Sequence, residues 1–393
     1  MTSRFSRLSK LARKNQLKSG KLRKKSNSFT LVLLMSDMRK DSFWLDRLSL
    51  INSPTLARVI QFNIYQDNHF NFVKKNTECT FYYRSLKHLV LICFLCIFLV
   101  PWKGKKIVHA HGQIAGIIGS ALKVSRGIPL LLDRHHGHQN YVKSNSKGVL
   151  FDILTSRLAS QILVHSEQAL ESLHVLEPWT TKKSRCVMLP IDIQKFTRKL
   201  DSPSFHFRKS FNISSKTFLV GTNARGESWK GLLTVIKGFR KFHERVPDST
   251  LFMLNISPLD EEYSRIMDEI VGLPVILEKN YTPIEDFFHS LDLFCHTPVS
   301  KDAEAAGLVY LEALISQTPS IFTKSGIVAK FVESPRNTLF IDYLSDDQCY
   351  EGMLNFYLKR GKVGTNTLDI DFLQFNSERY LAQMLSCYKN ILD

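Results

Sequence analysis

The sequence lacks any apolar run of about 18 residues, the length that a spanning helix needs. It has no acid among its first 25 residues. It also lacks both common glycine-rich phosphate loops: no GxxxxGK[ST] occurs, and Gly112, Gly116 and Gly119 do not fit GxGxxG, so phosphate recognition needs another source. Glycine (18) and proline (13) are too sparse for collagen-like or low-complexity character. The seven cysteines (79, 93, 96, 186, 295, 349, 387) are scattered and odd in number, which argues against a disulfide framework and for reduced thiols in a cytosolic compartment. Cys93 and Cys96 form a CxxC inside a purely apolar run with no second pair, which reads as packing rather than zinc or redox chemistry.

What remains is a folded chain of 393 residues, 44% apolar and 23% charged, long enough for two domains. Its charge is uneven. Lys and Arg number 53 against 36 Asp and Glu, and the first 25 residues carry ten of those cations (Arg4, Arg7, Lys10, Arg13, Lys14, Lys18, Lys21, Arg23, Lys24, Lys25). The first apolar run, Phe29 to Met35, is too short for a secretory signal and reads as a core strand. The run from Leu89 to Val100 makes a helix roughly 18 Å long against a hydrocarbon core of about 30 Å, so it cannot span alone. Two readings stay open for it. One buries it between a sheet and its neighbours; the other lays it in a bilayer interface, with basic flanks and Trp102 at headgroup level. Clustered cations suit anionic lipid, so residues 1–25 and 84–106 are the candidate membrane contacts. Only Phe5 interrupts the basic tail as an aromatic, so a base-stacking platform for nucleic acid is missing.

From about residue 106 strand-like and helix-like runs alternate. Ile107 to His111, Pro129 to Leu132, Gln161 to His165 and Arg185 to Leu189 read as strands, with a helix over Gln113 to Lys123. A second series reads as strands over Thr217 to Thr222, Thr250 to Asn255, Val275 to Leu277, Asp292 to Cys295 and Ser320 to Thr323. Its helices fall over Gly231 to Val246, Leu259 to Val271 and Leu308 to Ser316. Val235, Phe239, Phe242 and Val246 recur at helical steps and share one face. The pattern predicts two parallel sheets covered on both sides, with a site in the cleft at the carboxyl ends of the strands. The polar stretch Lys195 to Ser215 reads as a linker, residues 344–360 and 371–391 as terminal helices, and residues 36–85 are the least legible.

Two segments could carry chemistry. Arg225-Gly-Glu-Ser-Trp-Lys230-Gly231 sets two cations in a loop between a strand and a helix, where they could clamp adjacent phosphates beside the helix's unpaired N–H groups. Unaided, such cations are usually just solvated. Glu304-Ala-Ala-Gly307-Leu308-Val-Tyr-Leu-Glu312 sets two carboxylates around a helix start, with Gly307 leaving room for backbone to approach a ligand. Carboxylates suit sugar hydroxyls because each accepts a planar pair of hydrogen bonds. Alone, the pair could equally be a surface acid and a helix-start acid. His135, His136 and His138 are close in sequence, but neighbours on a strand point oppositely, so no metal site is expected.

Together these segments resemble the retaining GT-B glycosyltransferases of group 1, or family 4. Glu304 to Glu312 matches that family's glutamate–seven residues–glutamate signature, and Ala224-Arg225-x4-Lys230-Gly231 its phosphate loop. Val108-His-Ala-His-Gly112 and Leu132-Asp-Arg-His-His136-Gly137 look like its two histidine-bearing strand ends. Leu163-Val-His-Ser166-Glu167, Leu189-Pro-Ile-Asp192 and Thr318-Pro319 with Ser325-Gly326-Ile327 resemble further motifs in the same order. The resemblance implies an α/β chain of GT-B fold, two doubly wound Rossmann-like domains facing a central cleft. It would comprise a basic tail (1–27), an acceptor-side domain (28–197), a linker (198–215), a nucleotide-sugar domain (216–370) and a helix returning to the first domain (371–393).

It further implies that Arg225 and Lys230 neutralise a donor diphosphate and that Glu312 holds the ribose. Glu304, with backbone around Gly307 and Leu308, would bind the donor sugar, and His136 would contact it from the other domain. The reaction implied is retaining, metal-independent transfer of a hexosyl unit from a UDP- or GDP-sugar to a saccharide or lipid-linked acceptor, with no cofactor, by a cytoplasmic enzyme peripheral to a membrane. Two departures stand out. Met35 to Lys40 carries no glycine where the family has a glycine-rich loop, and Ala329 or Lys330 stands where a late glutamate is expected. The alternative is therefore a GT-B-like binding or scaffold protein without turnover.

Overall fold

The computed structural model describes residues 28–36, 56–66, 71–75, 78–134, 138–197, 204–335, 337–360 and 370–393. The basic tail, His135, His136, Gly137 and residues 37–40 and 198–203 lie outside them.

The first sheet has eight strands: β1 (Phe29–Ser36), β2 (Leu56–Gln66), β3 (Asn71–Lys75), β4 (Glu78–Tyr83), β5 (Lys105–His111), β6 (Leu130–Asp133), β7 (Gln161–Val164) and β8 (Ser184–Cys186). Their order is β3-β4-β2-β1-β5-β6-β7-β8, parallel except for the β3–β4 pair. β1 is a near-continuous apolar run because both its faces are covered, as a central parallel strand requires. Its neighbours are β2 and β5, and chain direction across the sheet reverses at β1/β5.

Helices α1 (Leu86–Leu99), α2 (Gln113–Arg126), α3 (Ser146–Leu158) and α4 (Glu167–Leu176) connect β4 through β8. The inner faces of α1, α2 and α4 close one core with Val32, Leu34, Ile60, Phe62, Val108 and Leu132. Helix α1 is not buried all round, contrary to the first reading of it. Ile92 and Cys96 are buried, whereas Val90, Leu91, Phe94 and Phe98 face solvent.

The second sheet contains β9 (Phe218–Asn223), β10 (Ser249–Leu254), β11 (Val275–Glu278), β12 (Leu293–His296), β13 (Ser320–Phe322) and β14 (Thr338–Phe340), all parallel, in the order β11-β10-β9-β12-β13-β14. Its helices are α5 (Leu232–Arg245), α6 (Tyr263–Glu269), α7 (Ile284–Ser290), α8 (Leu308–Ile315) and α9 (Asp346–Leu358). The strand numbering reverses between β9 and β12, which opens a crevice beyond their carboxyl ends. The loops holding Arg225–Lys230 and His296–Gly307 leave from those two strand ends.

Helix α10 (Ser377–Leu392) returns to the first sheet, where Tyr388 packs on Phe29 and His109. It lies on the face opposite α1–α4 and shares one core with residues of both lobes, from Leu31 and Leu33 to Phe252 and Tyr310. Three local expectations change. Within the stretch read as a linker, Ser204–Ser210 is a helix, because Phe207 inserts against Phe211, Phe252, Tyr281 and Phe287. The strand expected over Arg185 to Leu189 ends at Cys186, after which Val187 and Leu189 turn into the shared core. The helix expected from Leu259 starts only at Tyr263, since Asp260 instead receives hydrogen bonds from the backbone N–H groups of Gly226 and Ser257.

Candidate active site

Lys230 and Glu304 meet. The Lys230 Nζ lies 2.6 Å from Glu304 Oε1, joining the loop after β9 to the loop after β12. Backbone chemistry holds the two loops in register. Gly231 has φ 67°, and a Cβ there would sit 1.8 Å from the Thr297 carbonyl oxygen. Only glycine allows that approach, and the contact is then sealed by Thr297 Oγ1 donating to the Gly231 carbonyl at 2.9 Å and Val299 N–H donating to the Trp229 carbonyl at 3.0 Å. Gly307, with φ 77°, ends the second loop and starts α8, its missing side chain leaving space for the Tyr310 ring. The helix thus begins at Leu308 and directs its first N–H groups toward the loop that carries Glu304.

A histidine completes the pair. His296, the last residue of β12, is buried and donates from Nε2 to Glu304 Oε1 at 2.9 Å. Its ring meets Tyr310 edge-on, with 4.8 Å between centroids. Burial holds the His296 pKa below its ordinary value, so the ring is neutral and its proton sits on Nε2. Burial alone would push the Glu304 carboxyl up, but the charge of Lys230 and the hydrogen bond from His296 outweigh it and hold the pKa at about 2. Glu304 is therefore a fixed carboxylate. Glu312 behaves oppositely: burial raises its pKa to about 7, with only Lys195 acting to lower it. Arg225 is half-exposed and lies 3.5 Å from Glu227, free to swing toward an anion.

The other lobe touches this region directly. Ser166 caps α4 by accepting from Ala169 N–H and donates to the Ala305 carbonyl at 2.7 Å. Gln168 and Ser172 of α4 both reach Asp302. Lys143 bonds Glu261 at 2.6 Å and lies over the Trp229 ring. Lys330, at the place of the expected late glutamate, pairs with Glu171 of α4. His296, Ser166 and Lys143 were not singled out as site residues from sequence. A lone histidine in an apolar strand reads as core, and only the packing shows its partner.

At the carboxyl ends of β5 and β6 a buried polar cluster faces the cleft. His109 Nε2 and His111 Nδ1 lie 3.5 and 3.4 Å from Asp133 Oδ2, while His165 Nε2 bonds Asp133 Oδ1 at 2.6 Å. Tyr388 OH sits 2.9 Å from His109 Nδ1. Burial and neighbouring His111 push the His109 pKa down to about 3, whereas Asp133 overrides burial and raises that of His165. His109, His111 and Asp133 are, among the described residues, the group whose ligand atoms converge closely enough to hold a metal ion. The network is not fully satisfied: His109 Nε2 is buried without a hydrogen-bond partner among the described residues.

The sequence model of the family described as "Glycosyl transferases group 1" matches residues 204–362, the segment that builds the second sheet and this site. Among curated proteins no relative matches the chain. Solved structures match nearly all of it. Anabaena Alr3699/HepE in complex with UDP and glucose superposes with a TM-score of 0.72 at 13% identity, covering 91% of this chain and 99% of that one. Sucrose-phosphate synthase from Thermosynechococcus elongatus gives 0.70 at 14% identity, with 93% and 99% covered. The trehalose 6-phosphate synthase from Burkholderia multivorans gives 0.62 at 9% identity, again with 93% and 99% covered. The chain has the GT-B fold. In GT-B terms, the Lys230–Glu304–His296 cluster belongs to the C-terminal lobe and faces the N-terminal lobe through the Ser166–Ala305 contact. No helix among the described residues is long and apolar enough to cross a membrane.

Proposed function

We propose that the chain is a retaining, metal-independent glycosyltransferase of the group 1, family 4 type. It moves a hexosyl unit from a UDP- or GDP-sugar to a saccharide or lipid-linked acceptor at the cytosolic face of a membrane, in polysaccharide or glycolipid synthesis. The observation that carries the reading is the convergence of Lys230 and Glu304 at the β9/β12 switch point, inside the segment that matches the family. The UDP, glucose and UDP-glucose bound by Anabaena HepE support the choice of donor class.

The chemistry follows from charge. Breaking the bond between the sugar's anomeric carbon and the β-phosphate leaves negative charge on the departing diphosphate. A lysine and an arginine can meet that charge without waiting for water to reorganise. In this reading Lys230 exchanges its internal partner for the diphosphate, and Arg225 turns in from its exposed position. Glu304, ionised and held by His296, then accepts from sugar hydroxyls near the anomeric carbon. Backbone N–H groups at Gly307 and Leu308 line the same place, and Glu312 takes the ribose hydroxyls. His136 is assigned a contact from the other lobe by resemblance only.

Lys230→Ala and Arg225→Ala are each expected to lower turnover about a hundredfold, the scale of losing one transition-state donor. The measurement is release of nucleoside diphosphate from a panel of UDP- and GDP-sugars; full activity in both variants would remove this site from consideration. A second reading, binding without turnover, draws on the late-glutamate position, held by Ala329 or Lys330, the latter of which pairs with Glu171. Any transfer above background by the unaltered protein discards it.

A further inference from the structure

The outward faces of α1, α2 and α3 form a surface that the transfer chemistry does not use. On α1, Leu86, Val90, Leu91, Phe94 and Phe98 share the solvent side, with Phe94 58% and Phe98 67% exposed. Trp102, just beyond the helix, is 68% exposed. Val124 of α2 and Leu150 and Leu154 of α3 continue the exposed apolar surface across the same helical layer. Soluble proteins scatter such residues singly, and a layer of them marks an interaction surface.

The charge around it has one sign. Between Arg84 and Ser166 the sequence has eleven Lys and Arg and two acids, Asp133 and Asp152. Both acids are buried, so the solvent side of this stretch carries cations and no carboxylate. Arg84, Lys87, Lys103, Lys105, Lys147 and Arg157 are exposed there. A cavity of about 330 Å³ opens beside Trp102 and includes Lys105, Lys106 and Arg126 in its lining. Arg126 is fixed in place by donating to the carbonyls of Ile97, Val100 and Pro101, and stacks 4.1 Å from the Trp102 ring. Trp102 and Arg126 join the basic cavity to the end of α1, and Ile391 and Leu392 of α10 line its other side.

We propose that this three-helix face docks on an anionic phospholipid surface. Phe94, Phe98 and Trp102 enter the acyl boundary, and lipid phosphates meet Lys103, Lys105 and the cavity at Arg126. Apolar burial and attraction between cations and anionic headgroups act together in such binding. An RNA would use the cations but leave the phenylalanines wet, and a second copy would bring like charge against like charge. The inference deepens the membrane part of the proposed function, and its test reads nucleotide binding separately.

The test is cosedimentation of the full chain with vesicles of phosphatidylcholine alone or mixed with phosphatidylglycerol. The unaltered protein is expected to bind the mixed vesicles and to be released by salt. The double variant Phe94→Glu/Phe98→Glu is expected to weaken that binding at least about tenfold, and Lys103→Glu/Lys105→Glu by about tenfold. Both should keep the unaltered melting temperature and UDP affinity, since these side chains already face solvent. A chain lacking residues 1–25 should retain the component that the phenylalanine variant removes. Equal binding to phosphatidylcholine alone, equal binding by the phenylalanine variant, or complete loss on deleting residues 1–25 overturns the proposal. So does a dimer in light scattering that Phe98→Glu converts to monomer. Vesicle binding with no nucleotide affinity would sink the transferase reading instead and leave this one standing.

Discussion

The two lobes carry the same kind of crevice, formed where strand order reverses, and fill it differently. In the C-terminal lobe, short loops are pinned by backbone contacts: Gly231 against Thr297, and Gly307 against Tyr310. Charged side chains there sit at the crevice with a partner that a ligand can replace. In the N-terminal lobe, the described part of the crevice is a buried polar network: His165 bonds Asp133, Tyr388 bonds His109, and His109 Nε2 lies 3.5 Å from Asp133 without a hydrogen-bond partner. One lobe sets its charges in loops and the other buries them at its strand ends. On the proposed function, a donor with two phosphates would use the first kind of surface, and the acceptor would be met by longer connections outside the rigid floor.

The strongest way to break this contrast is to unpin the donor side. Gly231→Ala places a methyl group against the Thr297 carbonyl and forces a positive φ on a residue with a Cβ, at a cost of about 3 kcal/mol or more. Lys230 would leave its place beside Glu304. Calorimetry is expected to show UDP affinity reduced more than about tenfold in a protein that still melts cooperatively. Retained affinity would mean that the loop is held by something other than this contact.

A gentler probe uses protons. The Glu312 pKa is raised to about 7 from an ordinary 4.5, so its contribution to stability is present below about 4.5 and is lost as pH rises through 7. Glu304, held at about 2, contributes in the opposite sense: its stabilisation is present above 4.5 and lost as pH falls toward 2. On the proposed function ribose binding needs Glu312 ionised, so affinity for a UDP-sugar, whose diphosphate has no terminal proton to lose in this range, is expected to increase several-fold from pH 6 to pH 8. Glu312→Gln should flatten that profile, and a flat profile in the unaltered protein would remove Glu312 from the ribose. The smallest effect is expected where the lobes meet. Ser166→Ala removes both a helix cap and the bond to Ala305, worth about 1–2 kcal/mol in chemical denaturation. No loss at all would show the two lobes to be independent at this contact.

Much of this was legible in the sequence beyond residue 105, where most strands are compact apolar runs and the longer helices show their period. The region 36–85 was not. β3 and β4 lie at the sheet's edge, with one face less demanding, so runs such as Asn71–Lys75 carry too few apolar residues to stand out. The helix Ser204–Ser210 spans two turns, too few for a period, and its anchoring depends on aromatic rings distant in sequence. At the site, Lys230 and Glu304 stood out in the sequence because each lies in a loop between a strand and a helix, near a glycine at the helix start. His296 was not, because its meaning lies in a bond to a residue eight positions on.

The pairing of Lys230 with Glu304 has a further consequence for which anions the crevice admits. Its central cation already has a counter-ion, so the cleft holds little uncompensated positive charge at that point. A free inorganic phosphate could take the lysine only by parting it from a buried carboxylate, with no sugar ring to set several hydroxyl groups around that carboxylate in return. A molecule that joins a diphosphate to a polyol answers both halves at once, and the cleft thereby discriminates by requiring the two chemistries in one visitor.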